Sequence, residues 1–568
     1  MKLTKIMMWV LALSWSSGVF AQQNIYVNQI GYGCHLPKKV YLDYEAERFE
    51  VININTKAIA YESEFNLRKT DDASSGMTIY EGDFSALTAP GEYLIRVTSP
   101  VNSGITSYVF NIADEVYTDM LDKANKSLYL QRCGIEIEAQ YAGQFAREIC
   151  HTDKSFYHPN CEQEGSRDMT GGWHDAGDYG KYVAPGSVTI GILYAAYELD
   201  AAKMASDAWN IPESGNGIPD LLDEIKYELE WLFKMQRHDG AVHEKIHTKD
   251  YVQFIMPSEG DVPQFIYEVS STATADFAAI MAKSSRVFKT IDPALSEKCL
   301  AAAKQSYDYL AKNPAIFPEG GFKNPADTKA GGYSDAYDKD ERIWAAAEMY
   351  LATKKKTYLN DFKTLNEEFK SQFSEVSWIN PSTLGFYSLL LAKENKQLKE
   401  IQSDLKQGLV NYSKKMVSIA NDDGFGLSML PDDYTWGSNG NVLYKAMNLI
   451  MAHHMLGDEK ALNVALNHLD YIFGMNANKV SYVTGTGTKR ILHLHHAPTV
   501  SDLNAEPIPG ILTGGPNKYR NDEALQNVFS EDTPPARIFL DDEESYSSNE
   551  NTIYTNAALV FVATYFNK

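Results

Sequence analysis

Asp114-Glu115-Val116-Tyr117-Thr118-Asp119-Met120-Leu121-Asp122-Lys123-Ala124-Asn125-Lys126-Ser127-Leu128 is where the chain changes its period. Val116, Met120, Ala124 and Leu128 recur every four residues, which lines them up on one face of a helix. Upstream the pattern is that of strands. Ile25-Tyr26-Val27, Lys39-Val40-Tyr41-Leu42, Phe49-Glu50-Val51-Ile52, Tyr93-Leu94-Ile95-Arg96-Val97 and Tyr108-Val109-Phe110 are β-rich runs with period-two stretches. Turn signals such as Ala89-Pro90-Gly91 separate them. Roughly 90 residues of short strands is the size of a small β-sandwich. The change of period therefore predicts a β-domain over 22–112 and a helical domain over 113–568.

Downstream, helical patterns are predicted near 114–132, 186–204, 219–236, 272–288, 293–312, 341–353, 358–371, 382–394, 397–416, 441–456, 459–473 and 553–566. Twelve helices with no strand-rich intervals suggest a closed ring of paired helices, an α/α barrel, rather than a βαβ fold. Long Gly-rich connections at 151–185, 238–270 and 474–552 interrupt them. Structureless segments that long in a compact domain usually carry function.

The 568 residues hold 52 Lys+Arg against 75 Asp+Glu, a net charge of −23. Nucleic acid and anionic membrane surfaces need clustered basic residues, so neither is expected as a partner. Hydrophobic residues at 44% and charged residues at 22% are ordinary for a globular chain and exclude wholesale disorder. Aromatic content is high, with 35 Tyr and 8 Trp. Such side chains build cores, and they also suit flat ligands edged with hydroxyls, such as sugars.

Lys2 and Lys5, the apolar run Ile6 to Leu13 and Val19-Phe20-Ala21 predict a secretory signal peptide over 1–21, too short to span a bilayer. No later stretch reaches a transmembrane length, and no Cys at the cleavage point indicates a lipid anchor. Its removal takes away two lysines and no acid, leaving −25. Export to a periplasm or the exterior is expected. Five cysteines are too few for a disulfide scaffold. Cys133, Cys150 and Cys161 are near enough in sequence for one pair to bridge, Cys299 reads as a buried free thiol, and none sits at a metal-ligand spacing.

Three stretches bear chemistry. Gly171-Gly172-Trp173-His174-Asp175-Ala176-Gly177-Asp178-Tyr179-Gly180-Lys181-Tyr182 sets two carboxylates three residues apart among glycines and aromatics. Such a pair can orient a water and take its proton; a calcium-binding or Asx-turn loop is the alternative. Leu540 to Glu550 is an acidic run before the last helix. It reads as a solvated cap, or as the setting in which Glu550 stays protonated to serve a leaving oxygen. After Ser481-Tyr482-Val483-Thr484-Gly485-Thr486-Gly487 come His493, His495 and His496. They lack a settled zinc geometry, so neutral imidazoles bonding ligand hydroxyls are the preferred reading.

At these residues the chain resembles glycoside hydrolase family 9, the inverting β-1,4-glucanases, in the subgroup with an N-terminal immunoglobulin-like domain. The likeness runs from about residue 24 to the C-terminus through ordered blocks. They are Val27 to Tyr32, Gly171 to Val183, Gly217 to Glu224, Met235 to Gly240, Trp344 to Ala347, Trp436 to Asn439, Asp470 to Asn476, Gly514 to Asn517 and Ser545 to Glu550. The resemblance implies an (α/α)6 barrel whose loops form an open cleft for a glucan. By position it implies that Asp178 is the catalytic base, Asp175 its partner on the attacking water and Glu550 the general acid. An inverting enzyme needs room for a water between its carboxyl groups. Trp436, Trp173, Tyr179 and Tyr554 are candidate sugar contacts, as are His495, His496 and Asp541. No cofactor is required for the chemistry. A structural calcium ion is a candidate at Ser334, Asp335, Asp338, Asp340 and Glu341.

Two departures touch the subsites. The family's His-His-Arg reads His495-His496-Ala497 here, and Thr555 replaces the aromatic five residues past the acid. They leave two readings of the substrate. The first is an endo-acting glucanase on cellulose-type, mixed-linkage or xyloglucan chains. The second is an exo-acting member releasing glucose or glucosamine from chain ends. A non-catalytic carbohydrate-binding protein is disfavoured by the complete acid and base set. A monomer is expected, with the β-domain as a prop against the helices.

Overall fold

The computed structural model describes residues 24–98, 103–259 and 262–568; the signal-peptide reading of 1–21 lies outside them. The N-terminal part is β-rich. Its sheet runs Ile25–Tyr26, Lys39–Leu42, Ile79–Asp83, Ile59–Lys69, Arg48–Asn53, Gly91–Thr98, Phe110–Ile112, Gly31–Tyr32, with Ser103–Thr106 pairing Gly91–Thr98. The long strand Ile59–Lys69 joins two halves: Ile59 to Glu64 pair with Arg48–Asn53, and Phe65 to Lys69 with Ile79–Asp83. Between the halves, Phe49 meets Phe65 and Phe84 meets Phe110 at ring-centroid separations of 5.0 and 5.7 Å. Ile59–Lys69 reads as polar sequence, which is why period-two patterning does not reveal it.

The twelve predicted helices are present, and their burial alternates along the chain. Thr118–Leu130, Asp220–Met235, Pro293–Lys312, Lys356–Phe369, Lys399–Asp422 and Glu459–Ile472 each bury one face. Val183–Leu199, Ser271–Val287, Lys339–Thr353, Ser382–Leu391, Ser438–Leu456 and Ile553–Phe566 are buried nearly all round. A helix apolar on all sides must lie inside other helices. Val183–Leu199 packs on Ser271–Val287, which packs on Lys339–Thr353, which packs on Ser382–Leu391, while Ile553–Phe566 packs on both Ser438–Leu456 and Val183–Leu199. The Tyr387 hydroxyl donates to Asn448 Oδ1 at 2.6 Å, joining Ser382–Leu391 to Ser438–Leu456 and completing the ring.

Two expectations change. The second helix starts at Val183 rather than 186, because Pro185 falls in its first turn, where a missing N–H costs nothing. The helical region also contains strands. Ser166–Arg167, Ser155–Tyr157, Phe265–Ile266, Lys245–His247 and Lys181–Tyr182 form a five-stranded sheet in that order. Strands of two or three residues are too short to show a period.

The β-domain docks through buried polar groups. Asn28 Nδ2 donates to Asp470 Oδ1 at 2.8 Å, and Gln29 Oε1 accepts the N–H groups of Thr488 and Lys489. Arg68 donates to the carbonyls of Ala420 and Asp423, both at 3.0 Å.

Candidate active site

A cavity of about 400 Å³ opens at one rim of the inner ring, and Asp175, Asp178 and Glu550 all line it. Most of its wall comes from the segments that lead into the buried helices: Asp178 and Tyr182 before Val183, Tyr333 before Lys339, and Trp378 before Ser382. Trp436 comes before Ser438, and Glu550 before Ile553. The cavity therefore lies at the N-terminal, positive ends of several of these helices.

The bend carrying the two aspartates is closed by Asp175 N–H to Gly180 O at 3.0 Å and by Gly180 N–H to Asp178 Oδ1 at 2.7 Å. Gly177 sits against the opposite strand of the site. A Cβ there would lie 2.4 Å from His495 O and 3.1 Å from Glu550 Oε1. Only glycine lets the bend approach the acid so closely. Gly177 N–H donates to Glu550 Oε1 at 3.3 Å, and His495 pairs with Glu550 in a parallel bridge. Ile553 N–H donates to Asp175 O at 2.9 Å, tying the bend to the last helix.

Their surroundings shift two of the three carboxyl groups up and one down. Burial pushes Asp175 up to about 8, against the Tyr333 hydroxyl that donates to its Oδ2 at 2.5 Å and with the charge of Asp178 adding to the rise. Burial also raises Asp178, but the His247 ring and the Gly180 N–H outweigh it and hold its carboxyl below the ordinary aspartate range. His247 Nε2 lies 3.4 Å from Asp178 Oδ1. Glu550 is held well above the usual range, by burial first and by Asp178 next, despite the Gly177 N–H. Environments that push neighbouring carboxyl groups apart create one ionised base and one protonated acid.

Trp436 is 51% exposed on the cavity wall, its ring 5.3 Å from that of Tyr546, and Tyr554 also lines the cavity. The other candidates fall elsewhere. Trp173 is fully buried, its Nε1 donating to Glu224 and its N–H to Glu228. Here the core reading of a tryptophan prevails over the sugar platform. Tyr179 is buried on the far side of the bend, its hydroxyl donating to Ile255 O at 2.5 Å. His496 is enclosed against Gln131 and Thr499, and burial lowers it to about 3. Asp541 accepts the N–H groups of Leu492 and His493, so it shapes the segment leading to His495. His495 stands beside Glu550, with Nδ1 2.5 Å from Glu543 O, and burial lowers its pKa.

Tyr333, Trp378 and Tyr251 line the cavity and escape the sequence reading. They lie in connections that carry no dense motif; the Gly331-Gly332-Tyr333 triplet is the only local signal.

Cysteine chemistry differs from expectation. All five are free thiols. Cys133, Cys150, His151 and His174 bring one ligand atom each within 4.8 Å of one another, behind the aspartate bend. They come from three separate segments, so no sequence spacing announces them. Neither ring nitrogen of His174 has a hydrogen-bond partner among the described residues. Cys133 is lowered to about 6, chiefly by Cys150 and then, against burial, by Lys181 and Arg147. Two thiols and two imidazoles are a tetrahedral zinc donor set.

The calcium candidates divide. Ser334 is exposed and donates to Gly332 O, and Asp338 pairs with Arg342 at 2.8 Å. Asp340 and Glu341 are buried with Asp335 and with Asp276 of helix Ser271–Val287, a residue the sequence reading missed. All four keep carboxylate oxygens without partners among the described residues.

Residues 117–563 match the family model "Glycosyl hydrolase family 9", and residues 21–101 match "Cellulase N-terminal ig-like domain". The chain belongs to glycosyl hydrolase family 9. This family 9 protein is 35% identical to a cellodextrinase of Butyrivibrio fibrisolvens over 95% of this chain and 98% of that one. It is 34% identical to a xyloglucan-specific endo-beta-1,4-glucanase of Bacteroides ovatus, covering 97% and 94%. Its structure matches that of a Zn-binding triple mutant of a family 9 endoglucanase with a TM-score of 0.88 at 31% identity, over 94% of this chain and 99% of that one. It is a glycoside hydrolase of endoglucanase type. No helix among the described residues is long and apolar enough to cross a membrane.

Proposed function

We propose that the protein hydrolyses β-1,4-glucan backbones with inversion, Asp178 taking the proton of the attacking water, Asp175 orienting that water and Glu550 protonating the glycosidic oxygen. The observation that carries this is that Asp178 and Glu550 line one cavity in surroundings that push their pKa values in opposite directions. Water attacks the anomeric carbon as its proton passes to Asp178, and the leaving oxygen takes the proton of Glu550. Trp436 stacks a glucosyl ring. The six buried and six half-buried helices support an (α/α)6 barrel over 113–568, preceded by an immunoglobulin-like β-sandwich over 22–112. The molecule acts as an exported monomer on cellulose-type, mixed-linkage or xyloglucan chains. ¹H NMR of cellotetraose hydrolysis tests the mechanism: the first product carries an α-anomeric hydroxyl. Newly formed β-anomer defeats the inverting assignment. Mixed oligosaccharides from the outset indicate endo action, and monosaccharide alone indicates the exo alternative that the missing arginine at Ala497 permits.

The Cys133, Cys150, His151 and His174 set holds a zinc ion that fixes the back of the aspartate bend, and the Asp276, Asp335, Asp340 and Glu341 cluster holds a calcium ion. Purified protein contains about one zinc per chain. Cys133→Ser loses the zinc and lowers Tm. Metal analysis and calorimetry check both; a zinc-free wild type with an unchanged Tm after chelation counts against the site.

A further inference from the structure

Lys245 is fully buried, yet among the described residues no carboxylate lies within ion-pair distance of its ammonium. Burying a cation is costly unless every donor is satisfied. Here Nζ donates to Asn324 Oδ1 at 2.6 Å, Ala330 O at 2.8 Å and Gly331 O at 2.5 Å, using its three protons, and sits 4.5 Å from the centre of the Tyr267 ring. All three acceptors belong to the connection over 313–338 that carries Tyr333.

Other contacts hold the outer part of that connection: the N–H groups of Lys329 and Ala330 donate to Lys249 O, Gly331 N–H donates to the Tyr251 hydroxyl at 2.9 Å, and Asp327 pairs with His158 and Lys249. Lys245 is the buried group that ties Asn324, Ala330 and Gly331 to one point. Gly331 sits at φ +57°, and a Cβ there would lie 1.7 Å from the Tyr182 hydroxyl, so the backbone rests directly on Tyr182. Two residues on, the Tyr333 hydroxyl donates to Asp175. Lys245 also stands on the strand that braces the aspartate bend, since Tyr182 pairs with Lys245 and Lys181 with Ile246. Side chains two apart on a strand share a face: Lys245 reaches the Tyr333 connection, and His247 reaches Asp178.

We propose that Lys245 is a positioning residue whose ammonium clamps residues 324–333 so that Tyr333 holds Asp175 toward the hydrolytic water. This rests on the reading of Asp175 as the water-orienting carboxyl. Displacing such a group by about 1 Å costs on the order of 10²-fold in rate.

The test is a double-mutant cycle in the full chain, reading kcat and KM on cellotetraose for Lys245→Met, Tyr333→Phe and both together. Each single change lowers kcat by about 10- to 100-fold with KM within about threefold, and the double variant is no more than about threefold below the worse single. Combining Lys245→Met with Trp436→Ala multiplies the two losses, because that ring is held independently. A general loss of stability does not couple selectively to Tyr333. If Lys245→Met fails to fold, Asn324→Ala removes one acceptor of the same clamp and is carried through the same cycle. Full multiplication of losses with Tyr333→Phe, or wild-type kcat in the variant, overturns the clamp while inverting hydrolysis by the wild type leaves the proposed function standing. A wild type inactive on β-1,4-glucans defeats the proposed function and takes the clamp with it.

Discussion

Asp178→Asn lowers kcat on a β-1,4-glucan by about 10⁴-fold, the upper end of what general acid–base catalysis supplies, while Tm and circular dichroism stay close to those of the wild type. The substitution keeps the side chain's size and an oxygen that can accept the Gly180 N–H now bonded at 2.7 Å. What it removes is the one carboxyl group of the three held below its ordinary range. A carboxamide cannot take a proton from water. The loss is the same on every substrate, because every substrate needs that water. An Asp178→Asn variant retaining about a tenth of wild-type kcat would show that another group is the base.

Glu550→Gln lowers kcat on glucans by about 10³-fold, and the loss shrinks to about tenfold or less on aryl glycosides, whose leaving groups depart without a proton. This difference separates acid from base. The pH dependence carries the same signature. As the proposed acid Glu550 must be protonated, and its pKa is raised well above the usual glutamate range, so kcat/KM is expected to fall as pH rises through that value. As the proposed base Asp178 must be ionised, and its lowered pKa is expected to delay the acid limb to below the ordinary aspartate range. The alkaline limb disappears in the Glu550→Gln variant assayed on an activated aryl glycoside. Equal losses on both substrate types would refute the acid role.

The helices were legible because burial imposes its period on the sequence: Met120, Ala124 and Leu128 face inward as their spacing implies. The order of the ring was not, since no local pattern says which apolar helix meets which. In the site, the aspartate bend and Glu550 were legible because acids among glycines are dense and local. Trp173 and Trp436 look alike in sequence, and only burial divides them into a core residue donating to Glu224 and an exposed ring on the cavity. Cys133, Cys150, His151 and His174 come together only once three separate segments have folded, and Tyr333 reaches Asp175 across 158 positions of chain. Long-range convergence of this kind leaves no trace in spacing.

Most of the cavity wall is made of segments spliced in ahead of different buried helices, outside the ring's own packing. Insertions, deletions and exchanges in one such segment can therefore reshape what the enzyme accepts without renegotiating the core. Preference for a bare or a decorated chain, an end or a middle, can drift one segment at a time, as independent trials on a frame that pays nothing for the experiment.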